Sequence, residues 1–531
     1  MISNKKKILA ALLVFATAVT LVHYESQSVG TSVNNEVSAR NTNHILRAAF
    51  NPQSQEIPPQ VIAGNLSTVD WPSMLGQDVT VTGKLVVVDT YDLARRGQVV
   101  VARERLYVPT SSVDPNDSDA DGTSFEGGSN VAKVVAAQKL NDNATFIIDD
   151  GSEDQNIFPP ALFPELGSKY PTVRIGSVIK GVSGKLVKSG NNLLLVSDKP
   201  LQYTPAQRPQ RPDVGEAGVT VSSFNVLNYF STIDNGRNRA RGADSKSEMK
   251  RQEAKLVSAI SALKADVIGL MEIENNLDAE NRLVAALNED AGKEIYQGCG
   301  LPDQFRSAPG GADAIRVAII YRSDRITPVG SVSTIHDEAF SNARAPVLHS
   351  FQMKSGGKPF TVIVNHFKSK GGGSDADTAN KNKGDGQAAY NAARRAQALA
   401  ICNYIDKQTQ ADQQTRILVI GDLNAYNQED PIDAMRAKGL IDLREQLEAK
   451  NQPDEQPRDY SFVFRGQSGS MDHAMATEAL AADVTGVATW NINSDEPRFL
   501  DYNQEYNPKE LYQADPFRSS DHDPVLIGIG N

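Results

Sequence analysis

The chain has 531 residues, 40% hydrophobic, 22% charged and 6% aromatic, with 39 Gly and 26 Pro. This ordinary globular composition excludes collagen-like, wholly disordered and polytopic membrane proteins, and the length excludes a disulfide-stapled miniprotein. With 54 Lys and Arg against 65 Asp and Glu the net charge is −11, so the chain does not coat nucleic acid or anionic membrane by charge alone.

Lys5, Lys6 and Lys7 precede an apolar run from Ile8 to Val22 broken only by Thr17 and Thr20, and Ala16-Thr17-Ala18 offers a small-residue cleavage site. That is the layout of a secretory signal peptide over residues 1–22, with an uncleaved anchor as the alternative. No second apolar run long enough to span a bilayer follows. The expectation is a secreted or periplasmic monomer with no stable membrane association. The two cysteines, Cys299 and Cys402, are read in an exported chain as one disulfide, the alternative being two buried thiols. Residues 23–56 are polar and aperiodic and read as a disordered lead or linker.

From 57 to 203 the chain is built of short β-rich runs, Val79–Val88, Gln98–Tyr107, Thr145–Asp149, Val173–Leu186 and Asn192–Ser197. Glycines punctuate them and no long helix is expected between them, which predicts a small barrel or sandwich. Within this region the loop DSDADG matches the first half of a calcium-binding loop through Asp117, Asp119 and Asp121. Gly128 stands where the bidentate Glu would be, so the two readings are a Ca²⁺ site and an acidic loop. A stretch rich in Pro and Gln then opens an interdomain linker over 204–217.

From 218 to 531 strands alternate with helical patterns. Strands are predicted at Val219–Asn225, Val267–Glu272, Ile315–Tyr321, Thr361–His366, Ile417–Gly421, His473–Ala476 and Val525–Ile529, and helices at Glu253–Lys264, Ala279–Glu289, Gln387–Lys407 and Pro431–Lys438. This is a layered α/β domain. Polar groups recur at the strand ends, where such a scaffold presents its site: Asn225, Glu272, His366, Asp422 with Asn424, Asp472, and Asp521 with His522. Singly, each reads as a cap, a turn residue or a structural histidine. Together they define a chemistry, because Asp, Glu and Asn offer hard oxygen ligands suited to Mg²⁺, Mn²⁺ or Ca²⁺ rather than Zn²⁺. Two histidines beside such a site can stabilise a pentacovalent phosphate or carry protons to the leaving oxygen. No Ser or Cys nucleophile elbow competes, and the residues point to metal-assisted attack of water on a phosphate ester.

The motifs SFNVLNYF, DVIGLMEIEN, IRVAIIYR, VNHFKSKG, GDLNAY, SMDHAMAT and SSDHDPV resemble the endonuclease/exonuclease/phosphatase superfamily, which includes deoxyribonuclease I. The chain looks most like the ExeM-type secreted bacterial nucleases, whose barrel-like domain precedes the nuclease domain. The resemblance implies a four-layer α/β sandwich over 218–531 and an oligonucleotide-binding (OB-like) barrel over 57–203. It further implies Asn225, Glu272 and Asp521 as ligands of Mg²⁺ or Mn²⁺, and Arg316 as a phosphate contact. His366 would assist the leaving oxygen, Asp422 orient or deprotonate water, Asn424 bond the scissile phosphate, and Asp472 hold His522. Met271 departs from the family in replacing a glutamine often found before the metal-binding glutamate, and the sequence supplies no partner for His366. His473 is read as structural.

Two basic stretches flank the site. Residues 237–251 hold six Lys and Arg, including Arg251, against Asp244 and Glu248; residues 364–395 hold six, including Lys368 and Arg394, against three Asp. They are candidate contacts to a phosphate backbone, or else a solvated helix face and a loop, and Gly371, Gly372 and Gly373 read as a mobile loop over the site. On the barrel, Tyr91, Arg95, Arg96, Arg103, Arg105 and Tyr107 form the surface to suspect for single strands, the alternative being a purely structural or positioning role for this domain. The leading expectation is a secreted nuclease acting on extracellular DNA, with RNA as a further substrate. The alternatives are a phosphatase or phosphodiesterase of the same superfamily acting on lipid or sugar phosphates, and a nucleic-acid-binding protein with a dead catalytic domain.

Overall fold

The structure is a computed structural model that describes residues 59–117, 129–446 and 459–530. The signal peptide, the polar lead and two of the calcium-loop candidates, Asp119 and Asp121, lie outside the described residues. Asp117 is described.

The described residues of the N-terminal region form eight strands: β1 (Gln60–Ile62), β2 (Asp78–Asp89), β3 (Val99–Ala102), β4 (Leu106–Tyr107), β5 (Phe146–Asp149), β6 (Val178–Ser189), β7 (Asn192–Ser197) and β8 (Tyr203–Thr204). Strands β2, β3, β5, β7 and β6 pair in that order and β6 pairs back onto β2, closing a five-stranded ring. Alternate residues point inward, as a pleated strand requires: Val79, Val81, Leu85 and Val87 of β2 join Val101, Ile148, Ile179, Leu186 and Leu195 in one core. Phe499, Leu500 and Leu511, from the far end of the chain, complete that core. A helix, α1 (Val131–Asn143), corrects the expectation that no long helix intervenes. Of its residues Val134 alone is buried, so the apolar stripe that would have betrayed it is missing.

Beyond the ring lie two six-stranded sheets. The first runs β11 (Tyr296–Gly298), β12 (Ile315–Arg322), β10 (Val267–Glu274), β9 (Val219–Tyr229), β22 (Val525–Ile529), β21 (Val484–Thr489). The second runs β13 (Ile326–Thr334), β14 (Val347–Met353), β15 (Phe360–His366), β16 (Ile417–Asp422), β20 (Asp472–Ala476), β17 (Ile441–Asp442). Val317, Ile319 and Tyr321 face the core between the sheets with Val362, Val364, Leu418 and Ile420. Ala318 and Ile320 face outward onto α2 (Lys246–Leu263) and α3 (Leu277–Ala291). Behind the second sheet Ile363, Ile417 and Val419 pack on α4 (Asn391–Ala411) and α5 (Asp430–Ala437). The layers are therefore helix, sheet, sheet, helix. A short hairpin, β18 (Phe462–Phe464) with β19 (Gln467–Gly469), pairs in parallel with β4 of the N-terminal region.

The segment read as a linker is fastened along its length. Arg208 pairs with Glu496 at 3.0 Å, Pro209 O accepts from Trp490 Nε1 and Arg211 donates to Leu263 O. The expected disulfide is absent. Cys299 and Cys402 are free thiols, because Cys299 packs against the core between the sheets while Cys402 sits on α4 behind the second sheet. Among the described residues no helix is long and apolar enough to cross a membrane.

Candidate active site

Adjacent strands of each sheet deliver the polar groups to one edge. Asn225 and Glu272 come from the parallel neighbours β9 and β10, and His366 and Asp422 face each other across β15 and β16. A register irregularity between Met271 and Ile273 puts Glu272 at φ 63°, and Leu227, Asn228 and Asn424 also have positive φ at 52°, 49° and 48°. Such left-handed residues outside glycine cost energy and re-aim side chains, and here they cluster where the strands end.

The two histidines and three of the acids interlock. Asn225 Nδ2 lies 3.3 Å from Glu272 Oε1 and 3.4 Å from Asp422 Oδ2, while its Oδ1 accepts from Leu227 N. His366 Nε2 is 3.3 Å from Asp422 Oδ2, and His522 Nε2 is 3.8 Å from the same oxygen. On its other side His522 Nδ1 meets Asp472 Oδ2 at 2.8 Å. Asn424 donates its backbone N–H to Asp422 Oδ1 and its side-chain amide to Phe367 O. His366 Nδ1 is buried without a hydrogen-bond partner.

Burial and neighbouring charge set the protonation pattern. Burial, reinforced by the charge of Asp521, pushes the Glu272 carboxyl up to about 7. Burial also pushes His366 down to about 4, with Arg344 acting in the same direction. Against its own burial, Asp472 and Asp422 hold His522 well above the ordinary imidazole value. Asp422, although buried, is held below the usual carboxylate range by His522 and His366. The arrangement is thus a neutral His366, a charged His522 and an ionised Asp422 between them.

Among the described residues no three His, Cys, Asp or Glu converge closely enough to hold a metal by themselves. What the site does offer is Glu272, the neighbouring charge of Asp521 and the amide of Asn225, with like charge crowded at Glu272. One or two carboxylates with the remaining positions left to water and phosphate is how Mg²⁺ is commonly bound, and the donor set fits that ion or Mn²⁺ rather than a closed Zn²⁺ centre.

Two arginines singled out from sequence belong elsewhere. Arg316 is fully buried beneath α3, where it pairs with Glu280 at 2.6 Å and donates to Asn276 O and Val317 O, so it cannot meet a substrate phosphate. Arg394 is equally buried, and its guanidinium donates to the carbonyls of Lys368, Ala389 and Gln387, pinning the loop ahead of α4. That loop is further tied by a buried ion pair between Lys370 and Glu429. Arg251 lies over the ring of Tyr512 at 3.9 Å, and Lys368 over Tyr390 at 4.4 Å. On the N-terminal ring, Arg103 donates to the carbonyls of Gly64, Thr82 and Lys84 and Arg105 pairs with Asp495, so neither is a free surface cation.

Two other residues at the site did not stand out in the sequence. Arg344 is buried with its Nη2 on Phe367 O and its Nε unpartnered, and Glu272 and Asp422 both act on its charge. Asn228 donates both its backbone and side-chain N–H to Glu272 Oε2, at 3.1 and 2.8 Å. Asn228 closes the motif SFNVLN three residues beyond Asn225, and that spacing was its only available signal.

A model described as the Endonuclease/Exonuclease/phosphatase family matches residues 222–522. Similar solved structures include the human Nocturnin catalytic domain with bound sulfate anion, 15% identical over 59% of this chain and 95% of that one, with a TM-score of 0.36. The mannosyl-6-phosphatase Bt3783 of Bacteroides thetaiotaomicron is 16% identical over 59% and 100%, with a TM-score of 0.36. D. rerio TDP2 complexed with single strand DNA product is 14% identical over 59% and 99%, also with a TM-score of 0.36. None of the curated proteins compared matches the chain.

Proposed function

The chain belongs to the Endonuclease/Exonuclease/phosphatase family, hydrolases of phosphodiester and phosphate bonds, and on that premise we propose that it is a secreted, Mg²⁺- or Mn²⁺-dependent nuclease of extracellular DNA, with RNA as an open second substrate. The observation that carries the reading is the triple His366, Asp422 and His522, backed by Asp472 and flanked by Arg344. The cations Arg241 and Lys368, whose charges act on each other and on the buried Arg344, support a polyanionic substrate, although Asp313 pairs with Arg241 at 3.3 Å.

In this reading Asp422 orients water in line with the phosphorus and accepts its proton as the P–O bond to the 3′-oxygen breaks. His522, charged and fixed by Asp472, stabilises the phosphoryl oxygens and returns a proton to the departing oxygen. His366 is neutral and its Nε2–H faces Asp422, helping to keep that carboxylate ionised, while Asn424 and Arg344 hold the phosphate. The products are a 5′-phosphate and a 3′-hydroxyl. Glu272, Asp521 and Asn225 would hold the divalent ion, which would supply charge neutralisation at the phosphate. The closed five-stranded ring is read as an OB-like domain, and the whole chain as a monomer resembling the ExeM-type enzymes.

The test is incubation of the purified chain with supercoiled plasmid, linear duplex and RNA in Mg²⁺, Mn²⁺ or EDTA, beside Asp422→Ala and His522→Ala. Metal-dependent degradation is expected from the wild type, with a loss of about a thousandfold or more in each variant. Inert polymers together with hydrolysis of a sugar or lipid phosphate would move the substrate to that class at the same site.

A further inference from the structure

We infer that the N-terminal β region completes the active site: β4 and Arg105 position His522 through the hairpin β18–β19. The inference rests on the reading of His522 as catalytic. Ser461, at the foot of the hairpin, donates to Asp472 Oδ2 at 2.6 Å, the oxygen that also holds His522 Nδ1. The backbone N–H groups of Met471 and Asp472 both donate to the Ser461 hydroxyl at 3.1 Å, which fixes its rotamer. The next residue, Phe462, stacks on the His522 ring with centroids 4.6 Å apart and planes 29° apart. Asp523 N donates to Ser461 O at 2.8 Å. The hairpin therefore holds the imidazole by one face, through its carboxylate, and by the backbone just beyond it.

A hairpin of two three-residue strands is not stable unaided. Here β4 supplies the third strand, with Leu106 and Tyr107 paired to Gln467 and Ser468, and Val108 N bonded to Ser468 O at 2.9 Å. Arg105, the residue before β4, donates to Ser468 Oγ and to both oxygens of Asp495 at 2.9 and 3.1 Å, and lies 4.3 Å from the ring centre of Tyr460. Tyr460 closes the cycle by donating its hydroxyl to Asp495 at 2.8 Å. Asp495 lies two residues beyond Asn493, whose amide donates to His522 O and accepts from the backbone of Ser519 and Ser520. Arg105 thus reaches His522 by two routes without touching the reacting groups. It is a positioning residue, and the β region is a strut for the site as well as a candidate surface for substrate.

The test uses the full chain carrying Arg105→Met. Arg174 also pairs with Asp495, at 3.2 Å, so the carboxylate keeps a partner and the variant is expected to fold. On plasmid with Mg²⁺, kcat should fall about ten- to a hundredfold with KM unchanged. In a His522→Ala background the same change should cost almost nothing, because its only route to the reaction is gone. Equal losses in both backgrounds, or a loss in KM alone, would overturn the inference. Amide exchange gives a reading independent of activity: residues 519–523 should exchange faster in Arg105→Met and in Ser461→Ala, with β10 unchanged, and unaltered exchange at 519–523 would overturn the inference. If Arg105→Met does not fold, Tyr460→Phe, which deletes the hydroxyl bond to Asp495 alone, takes its place in both measurements. A wild type that cleaves no polynucleotide would sink the nuclease reading, while the exchange result would still decide this one.

Discussion

At Glu272 negative charge is crowded by Asp521 and Asp422. Its carboxyl is buried next to Asp521, which raises it to about 7, and Asn228 grips it with two N–H donors. Without divalent ions that carboxylate is a burden on the fold, and Glu272→Gln should melt at a higher temperature than the wild type in EDTA at pH 8. Added Mg²⁺ should reverse the order, because an ion bound only by the folded state stabilises it by about 2.7 kcal/mol at a hundred times Kd, and the variant lacks the ligand. Thermal melts with EDTA and Mg²⁺ would check both signs. Arg316 makes the opposite case. Its loss leaves Glu280 buried and unpaired, so Arg316→Met should cost about 3 to 5 kcal/mol in urea unfolding with kcat per folded molecule unchanged. At this scale the strand-end acids, amides and histidines were legible, because an ionisable group closing an apolar strand stands out in any sequence. The arginines were not. In the sequence an arginine looks the same whether it lies on a strand under a helix, as Arg316 does, or in a loop beside the carboxylates, as Arg344 does.

The elements carry their own constraints. The two sheets pack tightly at Gly269, where a Cβ would sit 2.7 Å from Val364 Cγ2 and 2.8 Å from Ile420 Cδ1. Gly269→Val should therefore destabilise by about 1 to 3 kcal/mol through overpacking, measured by urea unfolding. On β20 His473 is buried, with its Nε2 on Ala425 O at 2.8 Å, and burial lowers its proton affinity below the ordinary value. The unfolded chain then takes up a proton that the folded one refuses, so this residue contributes a loss of stability as pH falls through 6.5. His473→Gln should show a smaller drop in urea midpoint between pH 7.5 and pH 5 than the wild type. The central strands were readable from their apolar runs. Strand β13 was not, being largely exposed and interrupted by Pro328 and Gly330. Nor was the β18–β19 hairpin, whose three-residue strands carry too few residues to show a period.

For the molecule as a whole, the ring and the layered sheets are physically one piece. Phe499, Leu500 and Leu511 belong to the core of the ring, and Arg105 and Arg174 from the ring share the buried Asp495. A single calorimetric transition is expected, and a chain cut to begin at residue 204 should expose those apolar side chains and fail to give a soluble folded product. Two transitions, or a well-behaved truncated chain, would show the two regions to be independent. The sequence by itself determined the α/β layering, the β-rich N-terminal region and the identity of the acids, amides and histidines at the strand ends, because these depend on local periodicity and on which chemical groups occur at which positions along the chain. Tertiary structure alone decided which arginine lies beside the carboxylates, that the two thiols sit in different layers, and that a strand from residues 106–107 props the hairpin against His522. Those outcomes depend on how segments far apart along the chain come together, and no local pattern encodes them.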